Sequence, residues 1–275
     1  MESANSGNPN IHLYDDPEYP ETTDEASSVI GYACGVAHTQ GPRAAMEDSV
    51  SIDRSVDKKT LIVGLYDGHN GKQVSKFAAD GIPASYAKYK DLEKAFADVE
   101  ALLEKSNIDH NRIGCTAIVA TIEERDNSQR LLKLANLGDS RAILIRKGKV
   151  IVETKDHKPN TPGERVRISE AGGYVTDIDG TPRMNGLIAV SRAFGDTSYK
   201  ALMSHQPEIY STAMQKGDVL VLACDGLWDV ASSDDVAHFV NLIAEKGPHF
   251  IAKQLRNMAI EKNSTDNVSV AAITF

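Results

Sequence analysis

The chain has little of what would place it in a membrane, on a secretory route or on nucleic acid. No apolar run in its 275 residues approaches the roughly 20 needed to span a bilayer. The opening MESANSGNPN has neither a basic start nor an apolar segment, so no secretory signal is expected. Glu2 follows Met1, so the N-myristoylation pattern is missing too. There are only three cysteines, Cys34, Cys115 and Cys224, each in or beside an apolar run and without framework spacing. They read as small core residues in a reducing compartment, and the expected location is cytoplasmic, nuclear or both. None of them has Arg six residues on (Gln40, Thr121 and Val230 stand there), which excludes a cysteine-phosphatase loop. No Walker loop precedes Gly71-Lys72, because its first glycine would fall at Tyr66. No basic stripe with interleaved aromatics is present, so no nucleic-acid partner is expected.

Residues 1–30 lack Lys and Arg altogether but contain seven acids, which account for most of the net charge of −9. Residues 1–29, polar and aperiodic, read as an acidic, disordered or loosely attached leader. The remainder, 30–275, reads as one domain. Its 41% hydrophobic and 25% charged content supports a sizeable core. Apolar runs bounded by Gly, Asp or Asn predict strands at 31–38, 48–53, 60–66, 113–122, 130–137, 141–146, 149–153, 186–190, 218–224 and 267–274. Helical spacing, as in Leu92, Phe96, Val99 and Leu103, predicts helices near 71–86, 91–106, 163–172, 234–246 and 249–262, the fourth behind a Ser233 cap. LLKLANLGDSRAILIRKGKVIVE (131–153) reads as three consecutive antiparallel strands with corners at Gly138-Asp139 and Lys147-Gly148. Such an order of strands and helices argues for mixed α and β with antiparallel sheets. The stretch 156–200, rich in Gly, Pro and charge, reads as a surface excursion beside a site.

Several predicted strands begin or end on acids. LIVGLYDGHNG (61–71) ends in Asp67-Gly68-His69, and DVLVLACDGLWDV (218–230) carries Asp225-Gly226. Asp266 opens the last strand, and Glu47-Asp48 opens an early one. Taken singly, each acid has a turn or cap explanation. Together they suggest carboxylates converging at one edge of a core, where they would repel unless a cation sits among them. Carboxylates with a backbone carbonyl and room for water suit Mg²⁺ or Mn²⁺. Two such ions about 3.5–4 Å apart would favour in-line attack on phosphorus. Arg43, shortly before Glu47 and Asp48, is a candidate clamp for phosphoryl oxygens. Asp177 and Asp179 resemble the start of a calcium loop, but its twelfth position would be Ile188 instead of Glu, so that stretch reads as a turn.

Nine motifs in order carry a resemblance: RAAMED (43–48), YDGHNG (66–71), GCTAI (114–118), ANLGDSRA (135–142), DHKP (156–159), ERVRISEAGGYV (164–175), RMNGLIAVSRAFGD (183–196), CDGLWDV (224–230) and STDNVSV (264–270). On these, which span about 30–275, the chain resembles the metal-dependent protein Ser/Thr phosphatases of type 2C. The resemblance implies an α+β fold, a four-layer α/β/β/α sandwich of two central antiparallel sheets flanked by helices, with metals at one end. It implies that Asp67 bridges two Mg²⁺ or Mn²⁺ ions and that the Gly68 carbonyl and Asp48 are ligands, Asp48 directly or through water. Asp225 and Asp266 would hold the other ion, and Glu47 would orient a metal-bound water. Arg43 would bind the substrate phosphate, and His69 would protonate the leaving seryl or threonyl oxygen. Asp139 and Asp229, with Asp225, match a weaker third metal site, and 156–200 matches a flap beside the cleft. The implied activity is hydrolysis of phosphoserine and phosphothreonine in proteins by a water or hydroxide between the two ions. The expected partners are phosphorylated proteins, with no nucleic acid and no membrane, and the chain is expected to be a monomer. Arg183 and Arg192 are left as substrate contacts or partners of flap acids. Asn70 stands where the family usually has Gly, and Cys115 where Ser is common; Asn tolerates the positive φ such a Gly needs. A partner-binding scaffold without activity is the rival reading, and the complete set of acids argues against it.

Overall fold

The apolar runs that end in acids are strands buried on both faces. In VLVLA (219–223), Val219, Val221 and Ala223 pack toward helices, while Leu220 and Leu222 pack toward a second sheet. Side chains of a strand leave on alternate sides, so a strand covered on both sides needs apolar residues at every position. TLIVGLY (60–66) obeys the same rule: Leu61, Val63 and Leu65 face the other sheet, and Ile62 and Tyr66 face helices. The computed structural model describes residues 11–19, 23–29, 32–53, 59–125 and 130–275.

The first strands are β1 (Thr23–Val29), β2 (Tyr32–Thr39), β3 (Ser49–Asp53), β4 (Thr60–Tyr66) and the short β5 (Gly68–His69). Helices α1 (Gln73–Tyr89) and α2 (Leu92–Glu104) follow. Next come β6 (Gly114–Cys115), β7 (Ala117–Glu124), β8 (Arg130–Leu137), β9 (Arg141–Arg146) and β10 (Lys149–Glu153). Then α3 (Pro162–Glu170), β11 (Val175–Ile178), β12 (Thr181–Met184) and β13 (Phe194–Gly195) occupy the Gly- and charge-rich stretch. The last elements are β14 (Glu208–Met214), β15 (Val219–Ala223), α4 (Asp225–Trp228), α5 (Ser233–Ile243), α6 (Pro248–Glu261) and β16 (Val268–Thr274).

One antiparallel sheet has the order β1-β2-β16-β15-β9-β10, and a second has the order β14-β8-β7-β4-β3. A layer of Leu, Ile and Val from both sheets fills the space between them. Helices α4, α5 and α6 cover the outer face of the first sheet, and α1 and α2 cover the outer face of the second. This is the expected four-layer sandwich. Strand direction then gathers the acids. β4 stops just before Asp67 and β15 just before Asp225. β3 and β16 run antiparallel to these strands, so Asp48 and Asp266, at their beginnings, return to the same end.

The structure departs from the sequence reading in several places. Gly138-Asp139 turns no hairpin: β8 belongs to one sheet and β9 to the other, so the link crosses between sheets and delivers Asp139 to the acidic end. Lys147-Gly148 does turn the β9–β10 corner, both residues having positive φ (51° and 74°). The expected strand 186–190 is absent, because Asn185 and Gly186 (φ 50° and 72°) reverse the chain after β12. The expected strand 113–122 is broken at Thr116, whose N–H donates to the Asp67 carbonyl at 2.9 Å. β14 (EIYSTAM) escapes notice because as an edge strand it is only half-buried and carries few branched aliphatics. The α5 cap is Ser232, in a capping box with Asp235; Ser233 instead donates to Glu153.

The acidic leader also departs from expectation where it is described. The Tyr14 N–H donates to Gln254 Oε1 at 2.8 Å, and Asp16 accepts from Arg256 at 2.7 Å. Arg256 is only 1% exposed, so this carboxylate compensates a buried charge. β1 adds a further strand beside β2. Residues 1–10 and 20–22 of the leader lie outside the described residues.

Candidate active site

A cavity of about 540 Å³ opens at the acidic end of the sandwich. Asp67, Gly68, Asp139, Asp225 and Asp266 line it, together with Glu47, Arg43 and His69. Asp48 lies outside its lining, but Asp48, Asp67 and Cys224 present donor atoms within 4.8 Å of one another. Asp229 also stands outside the cavity, its side chain 61% exposed and ion-paired with Lys158 at 3.2 Å.

The two Asp-Gly pairs owe their glycines to crowding. Neither Gly68 nor Gly226 has a positive φ. A Cβ on Gly68 would strike the Glu47 carbonyl, and one on Gly226 would strike the Asn267 carbonyl. Each glycine therefore lets an acid-bearing segment press against its neighbour from another strand. Gly68 faces Cys115 in a pair flanked by the Thr116-to-Asp67 bond, a spacing that turns the Gly68 carbonyl away from β6. Ser75 of α1 holds the Glu47 carbonyl at 2.5 Å, and Asn267 Oδ1 accepts from the Glu47 N–H at 2.9 Å. Asn70 has φ 60°, the conformation its place in the motif requires.

The acids repel one another strongly. Burial, with Asp266 nearby, pushes the Asp48 carboxyl up to about 6. Burial, with Asp156 and Asp229 nearby, pushes Asp139 to about 6 as well. Asp67 and Asp225 lie well above the usual carboxylate range, first through burial and then through each other's neighbours: Asp48 and Asp225 for Asp67, Asp139 and Asp266 for Asp225. Burial also raises Asp266, against the pull of Arg43. Both Asp48 carboxylate oxygens and Asp225 Oδ1 are buried without a hydrogen-bond partner among the described residues. Unpaired buried carboxylate oxygens beside a polar cavity are the donor set a hard divalent cation satisfies.

A stability test follows from these shifts. The folded protein holds protons on carboxyls that ionise near 3.8 when unfolded. Without metal, their contribution is therefore full below about 4 and is lost as pH rises through about 6. The metal-free protein is expected to melt at a lower temperature at pH 7 than at pH 5. Mn²⁺ at pH 7 should raise the melting temperature by roughly 5 °C or more. Calorimetry in chelator and in Mn²⁺ at both pH values checks this; higher metal-free stability at pH 7 would contradict it.

The chemistry-bearing side chains sit around this centre. His69 Nε2–H donates to Asp196 Oδ2 at 2.6 Å, leaving Nδ1 without a hydrogen bond among the described residues. Asp196 is fully buried and held at φ 52°, a left-handed conformation that Asp tolerates better than most residues. A Cβ on Gly114 would wedge between His69 Nε2 and Asp196 Oδ2, so this glycine makes room for the pair. The sequence reading missed Asp196; the FGD of its own motif was the available signal, but its partner lies 127 residues away. Arg43 donates to Asp266 Oδ2 at 2.5 Å and to the Thr265 carbonyl at 3.0 Å, which places its guanidinium on the cavity wall. Arg183 also lines the cavity, whereas Arg192 is spent on a two-pronged pair with Glu164 (2.6 and 2.9 Å). Among the described residues, no helix is long and apolar enough to cross a membrane.

Known proteins resemble this chain in sequence and in fold. Residues 32–268 match the family model described as "Protein phosphatase 2C". The chain is 34% identical to "Probable protein phosphatase 2C 45" of Oryza sativa subsp. japonica, over 89% of this chain and 88% of that one. It is 33% identical to "Probable protein phosphatase 2C 59" of Arabidopsis thaliana, over 89% of this chain and 80% of the other. A solved phosphatase from Toxoplasma gondii shares the fold, with a TM-score of 0.82 at 24% identity over 93% of this chain and 96% of that one. The chain belongs to the protein phosphatase 2C family, whose members are metal-dependent protein serine/threonine phosphatases.

Proposed function

We propose that this chain removes phosphate from phosphoserine and phosphothreonine in proteins by direct attack of water on phosphorus, with the following division of labour. Asp48, Asp67, the Gly68 carbonyl, Asp225 and Asp266 hold two Mg²⁺ or Mn²⁺ ions. Asp139 and Asp229, with Asp225, hold a weaker third. The reading is carried by the buried oxygens of Asp48 and by Oδ1 of Asp225, which lines the cavity; none of them has a hydrogen-bond partner among the described residues. Bound there, the ions supply positive charge to the phosphoryl group and make water a stronger nucleophile.

The chain's own residues do the rest. Arg43 offers Nη1, which carries no bond among the described residues, to phosphoryl oxygens, while its Asp266 and Thr265 bonds fix the plane of the fork. Glu47, which lines the cavity, accepts a hydrogen bond from water and orients it toward phosphorus. A seryl or threonyl alkoxide is a poor leaving group and needs a proton as it departs. His69 delivers that proton from Nδ1, and Asp196 holds the ring through Nε2.

The test is hydrolysis of a phosphothreonine peptide and of an aryl phosphate, with Mg²⁺ or Mn²⁺ and with excess chelator. Both activities are expected to vanish in chelator and to return with Mn²⁺. Full turnover in chelator would contradict the reading.

A further inference from the structure

Lys158, between β10 and α3, has its ammonium 3.2 Å from Asp229 Oδ1. Its positive charge also acts on Asp139 and on Asp225. These are the three carboxylates assigned above to the weaker third ion. A lysine ammonium and a divalent cation cannot share one set of acids, because each repels the other at such distances. The Lys158 side chain is 33% exposed, and an ion pair this open to water is weak enough to be displaced. Lys158 also borders a second cavity of about 900 Å³, whose walls include Asp156, Glu164 and Glu208. That cavity also has Arg141, Lys155 and Arg192 in its walls, so a displaced ammonium on its four-carbon stem has an open, polar space of mixed charge to move into.

We propose that Lys158 is a tethered cation that competes with the third divalent ion for Asp139, Asp225 and Asp229, and so sets that ion's affinity below that of the other two. The inference rests on the reading of these acids as a third site. Lys158 alternates between two positions: on Asp229 when the third ion is absent, and turned into the neighbouring cavity when it is bound. The same competition makes the third site selective for small ions of high charge, since a monovalent ion gains little over the ammonium already there.

Calorimetric Mn²⁺ titration of the full chain tests this on the wild type, Lys158→Met, Lys158→Arg and Asp139→Asn. Lys158→Met is expected to bind the weak ion about tenfold more tightly, while Lys158→Arg, which keeps the charge, stays near the wild type. The two tighter ions should be unchanged by either Lys158 substitution. As a second readout, acetylation of Lys158 in the wild type by an N-hydroxysuccinimide ester, followed by mass spectrometry, should rise over the Mn²⁺ range that fills the weak site. Equal weak-ion affinity in wild type and Lys158→Met, or labelling that ignores Mn²⁺, overturns the role of Lys158. If Asp139→Asn retains the weak ion, or the wild type binds none, the third-site reading itself fails and the inference falls with it.

Discussion

Asp225→Asn is expected to lower turnover of a phosphothreonine peptide by roughly a thousandfold or more, while the metal-free variant melts no lower than the wild type. The two halves of this result have one cause. Asp225 begins α4 immediately after a strand buried on both faces, and its Oδ1 is buried without a partner. Asp139 and Asp266 crowd it from neighbouring segments. In the absence of metal, this carboxylate is a liability, so an amide of the same shape relieves repulsion without opening a hole. On the proposed assignment, the same change also removes an anionic metal ligand. Activity and stability therefore move independently, which a merely structural aspartate would not allow. Peptide turnover in Mn²⁺ and calorimetry in chelator measure the two halves. A variant that keeps its activity, or one that fails to fold in chelator, would contradict this assignment.

His69→Ala is expected to slow the phosphothreonine peptide by about a hundredfold or more, and p-nitrophenyl phosphate by about tenfold or less. The difference comes from the leaving group. A nitrophenolate departs readily without a proton, whereas a threonyl alkoxide does not. His69 lines the cavity beside Asp67 and Gly68, with Nδ1 unengaged among the described residues and Nε2 tied to Asp196. Asp196→Asn should shift the same ratio in the same direction by a smaller factor, because it loosens the ring without removing it. Steady-state rates on both substrates provide the measurement. Equal losses on the two substrates would show that His69 acts on the metal centre or the fold instead of on the leaving oxygen.

Much of this site was legible because its acids are attached to strands that advertise themselves. VLVLA before Cys224 and Asp225, and TLIVGLY before Asp67, are apolar at nearly every position, as two-sided burial demands. Alternating strand direction then brings strand ends and strand beginnings to one edge, so acids at both kinds of position converge. Asp139 shows where local reading stops. Gly138-Asp139 has the composition of a hairpin corner, yet β8 and β9 belong to different sheets, and only the global topology places the acid. Asp196 and Lys158 were equally opaque. Their partners, His69 and Asp229, lie 127 and 71 residues away, and no periodicity records such contacts. The glycines after Asp67 and Asp225 were readable as turn residues but serve close approach, a reason visible only once the neighbouring carbonyls are in place. The LIAV of 187–190 looked like a strand because it is apolar; Leu187, Ile188, Ala189 and Val190 instead line the cavity.

The most direct test of the central claim is a crystal of this protein grown or soaked in Mn²⁺, with anomalous difference density recorded near the manganese edge. Two strong peaks are predicted at the acidic end of the sandwich, both touching Asp67, one shared with the Gly68 carbonyl and the other with Asp225 and Asp266. A single peak, or density that leaves the Asp225 carboxylate bare, would contradict it.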